Sequence, residues 1–161
     1  MVERTIANPP AVRLRKDGTR CLGTREARLT LIAIAAWVSC CDLIVKLAKP
    51  TESGLYHERT YLDLVVILAL SATAVYVVPL ACSRSIAVGA GLMVGAGIGN
   101  ALSIAIFPLG VPNPLVISQD GWTIAFNLAD VCVGIGFVLI AVGVCGLAIE
   151  RRHELREPVE R

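Results

Sequence analysis

Ile124-Ala125-Phe126-Asn127-Leu128-Ala129-Asp130-Val131 opens the last of four long apolar stretches, so the chain carries a carboxylate and its amide neighbour into what reads as a membrane-crossing helix. An ionisable side chain at membrane depth is costly unless paired, hydrated or neutralised, and such a residue points to a functional site facing the bundle interior. The plainer alternative for Asp130 is a hydrogen bond between helices.

Working outward, the other three stretches run from about Leu29 to Ala48, Tyr61 to Cys82 and Ile86 to Gly110, and the last from Ile124 to Ile149. Each reaches the roughly 20 apolar residues that a helix needs to cross a bilayer. Nothing in them alternates as a membrane barrel would, and hydrocarbon leaves helices as the other solution. The chain is 55% hydrophobic and 17% charged, with a mean hydropathy of +0.69, which excludes an ordinary soluble domain. The expected fold is an all-α membrane protein of four transmembrane helices. Residues 1–28 form a basic arm, 29–149 the membrane domain and 150–161 a short tail.

A net charge of +2 is too small to imply nucleic acid, and the distribution of charge says more than its sum. Arg13, Arg15, Lys16, Arg20, Arg25 and Arg28 precede the first span, Arg84 stands in the second turn, and Arg151, Arg152 and Arg156 follow the last span. The loop from Leu109 to Thr123 has no Lys or Arg. The positive-inside rule then puts both termini of a multi-pass membrane protein in the cytoplasm. Five of the six cysteines lie in or beside apolar runs and read as buried thiols rather than a disulfide framework.

With these boundaries Asp42 falls about six residues before the outer end of its helix, Ser103 about seven, and Asp130 about six after the start of the fourth, each on the order of 10 Å deep at ~1.5 Å per residue. Asn100 with Ser103, Asn127 with Asp130, and Asp42 with Lys46 are each spaced to share a helix face. Gly91, Gly95 and Gly99 make a ridge of small residues that lets another helix approach closely. A single polar site in the outer half of the bundle is the expectation.

Gly97-Ile98-Gly99-Asn100 and Phe126-Asn127-Leu128-Ala129-Asp130 on the last two helices, with Asp42-Leu43-Ile44-Val45-Lys46 on the first, resemble motifs of the bacterial lipoprotein signal peptidases, signal peptidase II. The resemblance extends from about Leu29 to Ile149, and its most specific element is the Phe-Asn-x-Ala-Asp segment. It implies a membrane aspartic endopeptidase that cuts prolipoprotein signal peptides with two aspartates and no metal or cofactor. One carboxylate is ionised to activate water while its neighbour stays protonated, a split that close like charges produce. The partners implied are membrane lipid and a prolipoprotein or its signal peptide.

By resemblance Asp130 is the retained catalytic acid, Asn100 and Asn127 are substrate-binding, and Asp42 with Lys46 is a structural ion pair. Aligning Gly99-Asn100-Ala101-Leu102-Ser103-Ile104 with the family's Gly-Asn-x-x-Asp-Arg puts Ser103 where the other catalytic aspartate is expected and Ile104 at the arginine. Val111-Pro112-Asn113-Pro114 replaces a Val-x-Asp-Phe segment, again without the acid, and Tyr56-His57-Glu58-Arg59 stands where an Asn-x-Gly-Ala-like motif is expected. The loop after the first helix is also short for the family's small extracytoplasmic sheet. Cleavage therefore needs either a rearranged dyad or another chemistry, and a serine-lysine pair of Ser103 with Lys46 is the remaining nucleophilic option. A silent relative that binds without cutting is the alternative. A lipobox reading of Val38-Ser39-Cys40 fails on Trp37, which is not the small aliphatic residue needed three before the cysteine, and on the three spans that follow.

Overall fold

The computed structural model describes residues 23–154, without the side chains of 153 and 154. The expected arm lies largely outside these residues, but its last part belongs to the first helix, α1 (Thr24–Ala48). After a linker come strand β1 (Tyr56–His57), helix α2 (Tyr61–Val77), helix α3 (Arg84–Ile106), strands β2 (Val111–Pro112), β3 (Leu115–Gln119) and β4 (Trp122–Phe126), and helix α4 (Leu128–Glu154). Four helical segments are long and apolar enough to cross a membrane.

Local chemistry sets the boundaries. Thr60 and Asp63 form a reciprocal cap at the start of α2, the Asp63 N–H reaching Thr60 Oγ1 (3.3 Å) and the Thr60 N–H reaching Asp63 Oδ2 (2.8 Å). Pro79 lacks the N–H that would continue α2, and the chain tightens into a 3-10 turn over Val78–Ala81. Ser83 then accepts the Ile86 N–H at the start of α3.

Helix α3 is the centre of the bundle. Its long run of buried small residues lies between α1 on one side and α4 on the other. The α1 face turned toward it is a one-per-turn stripe of Ala27, Leu31, Ala35, Val38, Asp42 and Lys46. The glycines allow the close approach: a methyl on Gly95 would stand 2.6 Å from the Ala35 carbonyl oxygen, and one on Gly89 would stand 2.6 Å from that of Gly136 on α4. Close backbone contact of this kind replaces the hydrophobic drive that lipid cannot provide. Helix α2 has no buried residue and presents Leu62, Val65, Leu70 and Tyr76 outward.

At one end of the bundle α1 and α3 finish and α4 begins, and the strands gather there. Tyr56 pairs with Pro112 and His57 with Val111, so the linker after α1 is clipped to the segment after α3. Strands β3 and β4 form a hairpin over Asp120-Gly121, whose φ values of 28° and 91° are those of the two-residue turns that match strand twist. This corrects the sequence expectation, because residues 124–126 belong to strand β4 and are not the first turn of a helix. Two small sheets are present even though the linker is short.

Candidate functional site

Two polar centres lie at the loop-rich end. In the α1–α3 seam, Asp42 and Lys46 are one helical turn apart and buried, at 0% and 2% exposure. The Lys46 ammonium donates to Asp42 Oδ2 (2.6 Å), Asn100 Oδ1 (2.7 Å) and Ser103 Oγ (3.1 Å), so its three donors are used. Ser103 in turn donates to the carbonyl of Gly99 (2.8 Å). Gly99 leaves room for the carboxylate, since a methyl there would lie 2.8 Å from Asp42 Oδ2. One turn earlier on α1, Ser39 donates at 2.8 Å to the carbonyl oxygens of Ala35 and Gly95.

The second centre is the start of α4. Asn127 accepts the Asp130 N–H on its side-chain oxygen (3.1 Å), and Asp130 Oδ2 accepts the Asn127 N–H (3.0 Å), a reciprocal cap. Asn127 Nδ2 donates to Asn113 Oδ1 (2.7 Å), and Asn113 is fixed by its own N–H on the Leu55 carbonyl (3.2 Å). Asp130 is exposed, while Asn127 is 2% exposed. The expected depth for this pair was derived from a helix beginning at Ile124. With α4 starting at Leu128, Asn127 is the residue before the helix and Asp130 belongs to its first turn.

One bond joins the centres. The Ala129 N–H, a first-turn donor with no acceptor inside its own helix, reaches Asp42 Oδ1 at 3.0 Å. Asp42 thus caps α4 from a different helix, and its negative charge stands at the positive end of the α4 dipole. Both carboxylate oxygens of Asp42 are occupied, one by a cation and one by a backbone donor.

These partners limit the chemistry. An aspartic mechanism needs two carboxylates sharing one proton, and among the described residues no second carboxyl is hydrogen-bonded to Asp130. Ser103 turns its oxygen to Lys46 and not to Asp130. The serine-lysine arrangement also has the wrong polarity, because the lysine donates to the serine and the serine proton goes to a carbonyl, whereas a nucleophilic pair needs the amine to accept that proton. No cluster of metal-ligating side chains occurs among the described residues. Beside Asn113, an open cleft of about 420 Å³ lies between the linker and the β-hairpin, lined by Pro50, Thr51, Glu52, Leu55, Pro114 and Val116 among others. The Thr51 hydroxyl is shielded there without a hydrogen-bond partner.

The chain matches no model of a known protein family, and no curated protein matches it closely. The structure brings Asp42, Lys46, Asn100 and Ser103 into one network and Asn127 with Asp130 into another. Sequence reading left the Asn113 contact and the Ala129 bond unseen. Asn113 was legible as the residue in place of an acid, but its contact with Asn127 depends on the β1–β2 clip.

Proposed function

We propose that this chain is a signal peptidase II-like membrane protein that holds a prolipoprotein signal peptide, or the lipoprotein itself, at the loop-rich end without cutting it. The observation that carries this reading is the Asn113–Asn127 contact beside Asp130. An amide stands where the resemblance expects an acid, and an amide cannot share a proton with a carboxylate. Asp42, the other acid nearby, is committed to Lys46 and Ala129. The adjoining cleft, with an unpartnered Thr51 hydroxyl and the exposed Glu52, gives a peptide backbone somewhere to bind.

In this reading the loop-rich end faces outward. Arg25, Arg28, Arg84, Arg151 and Arg152 gather at the opposite end, as the positive-inside rule requires of a cytoplasmic face. The protein belongs in this reading to a bacterial cell membrane, with both termini inside.

The test is reconstitution of the full chain in vesicles with a diacylated prolipoprotein, following binding by co-sedimentation and cleavage by mass. Saturable binding without cleavage is expected. Asn113→Asp is then the informative variant, since it sets a carboxyl against Asn127 and next to Asp130; slow cleavage should appear and vanish again in Asn113→Asp with Asp130→Ala. Ser103→Asp should fail, because the new acid would compete with Asp42 for Lys46. Efficient cleavage by the unmodified chain, or no binding at all, would overturn the proposal.

A further inference from the structure

Arg28 lies four residues inside the start of α1, about 6 Å along the helix at ~1.5 Å per residue. Its guanidinium carbon stands 5.8 Å from the ring centroid of Tyr76, near the end of α2. The Arg28 Nε is shielded from solvent and has no hydrogen-bond partner. No carboxylate among the described residues pairs with the side chain. A shielded guanidinium N–H with no acceptor, on a side chain set over a ring face, lacks the anion that its planar fork is shaped to bind.

The surroundings say which anion. Tyr76 is 68% exposed, and Leu29, Ile32, Val77 and Leu80 are exposed on the same two helix ends, an apolar surface that acyl chains would cover in a bilayer. Arg25 is three residues before Arg28 and shares its face. Arg84, Arg151 and Arg152 stand at this end of the bundle too, and among side chains described there only Glu26 and Glu150 carry opposite charge. Glu26 turns back to the Gly23 N–H at its own helix start.

We propose that Arg28, braced on Tyr76 and assisted by Arg25, binds the phosphate of an anionic phospholipid whose acyl chains lie along the α1–α2 edge. The surplus of arginine selects an anionic headgroup over a zwitterionic one, and the arginine stem spans from hydrocarbon to the headgroup layer. The site is independent of the reading given to the loop-rich end.

Native mass spectrometry of the full chain, released from mixed micelles of phosphatidylglycerol and phosphatidylcholine, tests it. Retained phosphatidylglycerol should exceed phosphatidylcholine by about fivefold, the equivalent of roughly one well-placed arginine at an anionic surface. Arg28→Gln should abolish that preference, whereas Arg152→Gln should leave most of it. Tyr76→Leu keeps the charge and removes the brace, so it should give a partial loss and serves if Arg28→Gln fails to fold. Equal retention of the two lipids by the wild-type chain, an unchanged preference in Arg28→Gln or, where that variant does not fold, in Tyr76→Leu, or displacement of the lipid by inorganic phosphate alone would each overturn the proposal.

Discussion

Asp42 and Asp130 are both helix-borne acids at the same end of the bundle, and they are held in opposite ways. Asp42 is at 0% exposure, with a lysine on one oxygen and the α4 backbone on the other. Asp130 is exposed, engaged through one oxygen by the backbone beside it, and among the described residues has no cation within bonding distance. The first is a fastening of three helices, and the second is a cap that leaves most of its carboxylate unused. An acid in a membrane helix is therefore no guide to chemistry until its partners are known.

The largest effect should come from Lys46→Met, which leaves Asp42 buried without its cation and should cost about 3–5 kcal/mol. Unfolding of the purified chain by a denaturing detergent measures it. Combining Lys46→Met with Asp42→Leu should recover much of the loss, because an apolar pair needs no compensation; a double variant as unstable as the single one would mean that the seam is not an ion-pair device.

Gly99→Ala should be next, at about 1–3 kcal/mol for crowding against Asp42. Gly134→Ala is its control, since nothing lies within 4 Å of a methyl there, and on helix propensity it should gain up to about 1 kcal/mol. Equal losses in both would remove the role assigned to Gly99.

Asn127→Ala removes the cap and its bond to Asn113, and should cost about 1 kcal/mol. Asp130→Asn should be the mildest, at roughly 0.3–1 kcal/mol, the value of a charge near a helix N-terminus. If Asp130→Asn destabilised the chain as much as Lys46→Met, the contrast between the two acids would be gone.

The four spans were legible because their apolar runs are long, and the α1–α3 seam because its polar residues and glycines recur at helical spacing. How deeply each helix is buried was not legible from apolarity. Half of the membrane-length window of α3 is buried, against 6% for the more apolar α2. Lipid accepts large apolar side chains, so a helix reaches the centre by carrying small ones.

The hairpin was missed for another reason. Asp120-Gly121 between Leu115-Val116-Ile117 and Thr123-Ile124 is a recognisable hairpin signal, but Ile124 to Phe126 is also apolar and merges with the helix that follows. That merger misplaced Asp130 by about a turn. The Ala129 bond to Asp42 joins residues 87 positions apart through a backbone donor. No side-chain pattern announces such a contact, whereas the Asp42–Lys46 spacing announces itself.

That spacing has a consequence for the making of the protein. Asp42 and Lys46 lie on one turn of α1, which precedes α3 and α4 in the chain, so the two charges can neutralise each other before those helices have been synthesised. The segment can then partition into lipid as a nearly uncharged unit, and Asn100, Ser103 and the Ala129 N–H join later, as the remaining helices arrive.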